Sequence, residues 1–213
     1  TLQPTEDVAF DLSGANEIQI ADVDAGGGTV EVSLAVSNGT LTLGSTTGIA
    51  FDSGSNGTSS FTVSGTVTDL NNALSTLDYQ GDSDYFGKDT ITATVNDRGV
   101  DPGNTGDASS EADTTTVALN VQPVEDAPTI SAIADQSTDE DAALSGVGVT
   151  VDDAETSPSA VTAAASSDDQ GIVPDANIVV SDAGGGNRTL AITPADNQSG
   201  TVDITVVATD GSG

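Results

Sequence analysis

The chain has 213 residues, of which 34 are acidic and three basic (Lys88, Arg98 and Arg188), giving a formal charge of −31. That balance excludes nucleic acid as a partner and argues against an anionic membrane surface, since both need clustered Lys and Arg. With no Cys and no His there is no disulfide, no thiol chemistry and no soft metal site.

Apolar residues alternate with polar ones over long runs, which argues for a folded β-protein rather than a disordered acidic tail. The length suits one large or two ordinary domains. Thr1–Pro4 lead into "TEDVAF", and "IADVDAG" follows from Ile20. In "TVEVSLAVSNGTLTL", Val30, Val32, Leu34 and Val36 alternate, and Asn38-Gly39 predicts a tight hairpin turn into Leu41 and Leu43. "TDLNNALSTLDY" breaks the pattern. Leu70, Leu74 and Leu77 stand at helical spacing behind Asp69, which the spacing makes the N-cap of one short helix crossing between sheets. "DTITATVND" and "TTTVALNV" read as two further strands. Pro123 and Pro128 then bracket a short extended connector carrying Glu125 and Asp126. Beyond it, "PTISAI", a hairpin in "NIVVSDAGGGNRTLAI" turning at Gly184 to Asn187, and "TVDITVVATD" complete the strands.

The two halves match. "TEDVAFDL" pairs with "DEDAALSG", "IADVDAG" with "VDDAETS", and "ITATVNDRG" with "ITVVATDGSG". The expected fold is therefore all-β, two tandem Greek-key β-sandwiches of the immunoglobulin or cadherin kind, over residues 1–124 and 125–213. Copy one is expected to lack most of its first strand and copy two its last. The sequence thus reads as a piece of a longer array with open sheet edges.

The acids recur at matched loops. Asp22 and Asp24 follow an early strand and Asp97 a late one; their counterparts are Asp153, Glu155 and Asp210. In a Greek-key sandwich these loops share the end at which the chain enters, so Glu125 and Asp126 join Asp153, Glu155 and Asp210 there. Carboxylates 4 Å apart near a protein surface repel by about 4 kcal/mol, which a cation relieves. Calcium fits an all-oxygen set of this kind. Most other acids, including Asp107, Glu111, Asp168 and Asp169, read as solvated surface. "DAGGG" at Asp24 and Asp182 lacks the lysine and helix of a phosphate loop and reads as a flexible turn. Asn-x-Ser/Thr triplets at Asn38, Asn56, Asn187 and Asn197 likewise read as turns. Without His, Cys or Trp, neither nucleophilic catalysis nor a sugar-stacking cleft is provided for, so no enzyme is expected.

"ADVDAGGGTVEVSLAVSNGTLTL", "LNNALSTLDY", "YFGKDTITATVNDRG" and "EDAPTISAI" resemble the cadherin-like repeats of very large bacterial surface adhesins exported by type I secretion. "NRTLAITPADNQSGTVDITVVATDG" is similar to a shorter variety of the same class. The resemblance implies an extracellular, cell-surface location and calcium between consecutive repeats. Its ligands would be an early Glu (Glu6), the connector acids Glu125 and Asp126, and the next-repeat loop Asp153 and Glu155, with Asp210 at the same end. Asp78 takes the place of the later acidic motif, although Gln80 stands where an acid is usual, and Asp82 or Asp84 is the substitute. The function implied is a calcium-stiffened extender spacing an adhesive tip from the cell, with neighbouring repeats and calcium ions as partners. The alternative is direct recognition of a polysaccharide or partner adhesin.

Overall fold

The structure, a computed structural model, describes residues 1–23, 25–99 and 111–211; the expectations placed on Asp24 and Asp107 lie outside them. It is an all-β architecture of antiparallel sheets with one α-helix among the described residues. The chain divides into two compact units, Thr1–Val124 and Glu125–Gly213.

In unit 1, β1 (Phe10–Asp11) is followed by β2 (Val30–Ala35), β3 (Gly39–Leu43), β4 (Ile49–Gly54) and β5 (Ser60–Gly65). Helix α1 (Val67–Leu74), β6 (Leu77–Gly81), β7 (Gly87–Asn96) and β8 (Ala112–Val121) complete it. One sheet runs β4-β5-β2-β7-β8 and the other β1-β6-β3. The alternation seen in sequence is the alternation of burial. Val30, Val32 and Leu34 point inward from β2, Leu41 and Leu43 from β3, and all join one core with Phe61, Leu70, Leu77, Tyr79, Ile91 and Leu119. Apolar burial of this kind contributes about 25 cal/mol per Å² and is the main term favouring the fold.

Two expectations are corrected in this unit. First, β2 and β3 are not a hairpin: β2 pairs with β5 and β7, while β3 pairs with β6 in the other sheet. The Asn38-Gly39 turn is an arch between layers, and its fixing group is Asp89. That carboxylate, 6% exposed, accepts the Ser37 and Asn38 N–H groups at 3.2 and 3.0 Å. It also accepts the Thr90 N–H at 2.7 Å and the Tyr79 hydroxyl at 3.1 Å. Burial, and next the Asp89 charge, push the Tyr79 phenol well above the usual tyrosine range. Gly39 is needed here, because with φ +153° a Cβ would lie 2.3 Å from the Gln80 carbonyl oxygen.

Second, the helix N-cap is Thr66 rather than Asp69. The Thr66 hydroxyl accepts the Asp69 N–H and donates to the Asp69 carboxylate, a reciprocal box that places Asp69 one turn in. The helix ends at Leu74, and Leu77 opens β6 because its inward place there is opposite Leu43. The helix does join the two sheets, leading from β5 to β6. The residues taken as a remnant of a truncated first strand are paired. Leu2–Glu6 run parallel to the end of β8, with Leu2 N–H to Ala118 O, Asn120 N–H to Leu2 O, Gln122 N–H to Pro4 O and Glu6 N–H to Gln122 O.

Unit 2 contains β9 (Thr129–Ile130), β10 (Leu144–Asp152), β11 (Thr162–Ser167), β12 (Ile178–Gly184), β13 (Asn187–Ile192) and β14 (Ile204–Thr209). Its sheets run β12-β13-β10-β9 and β11-β14. The hairpin of β12 and β13 turns between Gly184 and Asn187, as the glycines predict. Its core is smaller: Val147, Val149 and Leu190, with Leu144, Ala165, Val180 and Val206 against them. The pairings repeat those of unit 1. β12-β13-β10 matches β3-β6-β1, and β11-β14 matches β2-β7. Even strain recurs, with Asp7 at φ 59° and its sequence counterpart Asp141 at φ 60°. Among the described residues β14 has a hydrogen-bonded neighbour on one side only, whereas β7 has one on each side.

Candidate functional site

In unit 1 one candidate acid, Glu6, lies where the chain begins its ladder with β8. Glu6 is held by its own N–H to Gln122 O, which draws the side chain inside; the residue is 0% exposed. One carboxylate oxygen, Oε1, accepts the Val124 N–H at 2.6 Å. The other, Oε2, is buried without a hydrogen-bond partner. Native folds rarely leave a buried acceptor so, because the lost hydration costs about 1–3 kcal/mol and more for a charged group. Next in the chain, Asp7 presents a carboxylate oxygen within 4.8 Å of one from Asp84. Both residues have left-handed backbones (φ 59° and 57°), and both are exposed. The sequence offered Asp84 only as a substitute and did not single out Asp7.

Asp78 is elsewhere in structural terms. It is a mid-strand residue of β6 with Asp11 and Thr42 as its cross-strand neighbours, half-buried on the face opposite Leu77 and Tyr79. Asp22 and Asp97 act on their own loops. Asp22 Oδ1 accepts the Ala25 N–H at 2.8 Å. Asp97 Oδ1 accepts the N–H groups of Gly99 and Glu111 at 2.9 and 2.8 Å, closing the turn after β7.

In unit 2 the acidic loop leaves β10 directly. Asp153 Oδ1 accepts the Glu155 and Thr156 N–H groups at 3.0 and 2.6 Å, an Asx turn that fixes the loop. Its Oδ2 is buried without a hydrogen-bond partner. Asp22 makes the same i to i+3 bond at the matched place in unit 1. Asp126 reaches this loop through its N–H, which donates to Glu155 Oε2 at 3.4 Å, and the two carboxylates come within 4.8 Å. Two full charges at that distance repel by about 3 kcal/mol in a surface-like dielectric. Glu125 is exposed, and Asp210, just after β14, is 8% exposed. The donors of this loop are all hard oxygens, and the buried Asp153 Oδ2 has no hydrogen-bond donor. That chemistry fits calcium and no softer metal.

Sequence reasoning passed over two charged residues that organise these loops. Asp89 stands in the inward phase of "DTITATVND" with Ile91 and Ala93, which was a readable signal. Arg188 is 4% exposed, and nothing in its neighbours marks it as buried.

A family model described as "Protein GAMETE EXPRESSED 2 domain" matches residues 11–103. No curated protein matches the chain. Among solved structures, the chain is similar to an endo-fucoidan hydrolase from glycoside hydrolase family 107, at 16% identity and TM-score 0.31, covering 85% of this chain and 22% of that one. It is also similar to a chimeric titin Z1Z2, at 16% identity and TM-score 0.29, covering 87% and 83% of the two chains. A third similarity is to the CsuC–CsuE chaperone–tip adhesion subunit complex of Acinetobacter baumannii, at 11% identity and TM-score 0.33, covering 96% and 93%. These likenesses are too slight to assign a function. No helix among the described residues is long and apolar enough to cross a membrane.

Proposed function

We propose that the chain is a calcium-stiffened extender module of a bacterial cell-surface adhesin, built as two tandem cadherin-like sandwiches and acting as a spacer rather than an enzyme. The observation that carries the reading is Glu6. A carboxylate at 0% exposure, with one oxygen on a backbone N–H and the other without a hydrogen-bond partner, supports the reading, because a cation would offset the cost of burying that oxygen. Asp153 repeats the pattern in unit 2, with Oδ1 committed to the loop and Oδ2 buried and bare.

In unit 1 Glu6, and separately in unit 2 Asp126, Asp153 and Glu155, would supply oxygens, and the metal would supply charge neutralisation. Calcium on the connector acid Asp126 and on the loop of Asp153 and Glu155 would take motional freedom from the connector, which is what a spacer needs. The surrounding repeats are the expected partners.

Thermal melting in chelator and in 10 mM calcium tests this. At a hundredfold excess over Kd the gain is about 2.7 kcal/mol. The expected result is a calcium-dependent rise in melting temperature, reduced by Glu6→Gln and by Asp153→Asn, with slower proteolysis at 124–128. Superimposable curves in chelator and calcium would refute the reading. Binding on a glycan array would favour the recognition alternative.

A further inference from the structure

We propose that Arg188 is the positioning residue of the cation loop in unit 2, a fork that holds the far end of the loop whose near end is Asp153; this rests on the calcium reading above. Arg188 is the sole basic residue of unit 2. It lies on β13 opposite Val149 of β10 and is 4% exposed. Burying a guanidinium is costly unless its donors are met. Here Nη2 donates to the carbonyls of Pro158 (3.0 Å) and Val161, and Nη1 to Asp182 Oδ1 (2.9 Å) and the Asn187 carbonyl (3.0 Å).

Pro158 and Val161 belong to the same loop as Asp153 and Glu155, the stretch from the end of β10 at Asp152 to the start of β11 at Thr162. The loop is thus pinned twice. Asp153 fixes its entry through the Glu155 and Thr156 N–H groups, and Arg188 fixes its exit through two carbonyls. The β12–β13 turn closes on the loop as well. The Gly186 carbonyl accepts the Val151 N–H at 2.9 Å, and a Cβ on Gly186 would lie 2.5 Å from the Val151 oxygen and 2.9 Å from Pro158 Cβ. The "DAGGGNR" stretch, expected to be a flexible turn, is a tight one pressed against the acidic loop.

The ion pair with Asp182 offsets the Arg188 charge, so what reaches the loop is the geometry of the fork. Lysine keeps the charge but cannot serve two carbonyls from one planar group. Residues that orient metal ligands typically change affinity 10–100-fold when altered.

The experiment is a calcium titration by calorimetry of the whole chain, comparing wild type, Asp153→Asn and Arg188→Lys, each checked for a cooperative melt in chelator. The part of the isotherm lost in Asp153→Asn identifies the loop's ion. Arg188→Lys is expected to weaken that part about tenfold and leave the rest unchanged. Wild-type affinity in a folded Arg188→Lys chain overturns the positioning role while the calcium reading stands. Absence of calcium heat in the wild type overturns both.

Should Arg188→Lys fail to fold, amide exchange on the wild type decides. Loop and turn form one clamp, so calcium must slow exchange at 184–188 as well as at 153–161. Protection confined to 153–161 overturns the proposal.

Discussion

Replacing Asp89 by Asn changes one atom and tests what holds the arch between the two sheets of unit 1. Asp89 takes four donors: Ser37 N–H and Thr90 N–H on Oδ1, Asn38 N–H and the Tyr79 hydroxyl on Oδ2. An amide keeps one oxygen. In its better orientation that oxygen replaces Oδ1, and the Tyr79 hydroxyl keeps a partner in the Asn38 carbonyl at 2.8 Å. The Asn38 N–H is then left facing an NH₂ group inside the protein, which costs about 1–3 kcal/mol. The two surviving bonds fall from charge-assisted to neutral, losing about 1 kcal/mol each. The expected loss is therefore about 3–5 kcal/mol, a large part of the stability of an ordinary domain. Both tyrosines of the chain, Tyr79 and Tyr85, lie in unit 1 and there is no Trp, so tyrosine fluorescence reports this unit alone. With an m-value of about 1–3 kcal/mol/M in urea, the midpoint should fall by at least about 1 M, equally in chelator and in calcium. A shift under about 0.3 M would show that the arch stands without the carboxylate.

Two further expectations concern the same region. Tyr79 is held neutral in the fold at a pH where a free tyrosine ionises. Its raised pKa gives stability that is complete below about pH 10 and declines as pH rises toward the folded value, so the melting temperature should fall above about pH 10; Tyr79→Phe should flatten that decline, and an unchanged slope would count against it. Gly39→Ala drives a Cβ into the Gln80 carbonyl at a backbone angle alanine avoids, and a urea midpoint lowered by about 2–4 kcal/mol equivalents is expected, against no change if the arch can relax.

The strands were legible because each needs only a period of two, and Val30, Val32 and Leu34 or Ile91 and Ala93 display it openly. What they pair with was not. Asn38-Gly39 has the residues of a hairpin turn, and the choice between a hairpin and an arch is made 50 residues later by Asp89, which local patterning cannot see. The helix boundary slipped for a related reason. Leu77 continues a helical spacing, yet its cross-strand place opposite Leu43 in β6 prevails over it. For the carboxylates, matched positions in the two halves singled out Asp153 and Glu155, and a family resemblance alone singled out Glu6. Asp7 and Arg188 were not, since one owes its place to a left-handed turn and the other to a fork reaching across 27 to 30 residues.

The parallel run of Leu2–Glu6 along β8 also decides how unit 1 answers to force. Tension applied through the segment before Leu2 and through the segment after Gln122 slides two parallel neighbours lengthwise instead of peeling them apart. Their four backbone bonds, extended by Glu6 Oε1 on the Val124 N–H, must then yield together. Antiparallel hairpin ends would instead open one bond at a time. Forced unfolding follows the barrier to that first rupture rather than the equilibrium stability. Pulled along this axis, unit 1 is therefore expected to rupture at a force that its melting temperature does not predict.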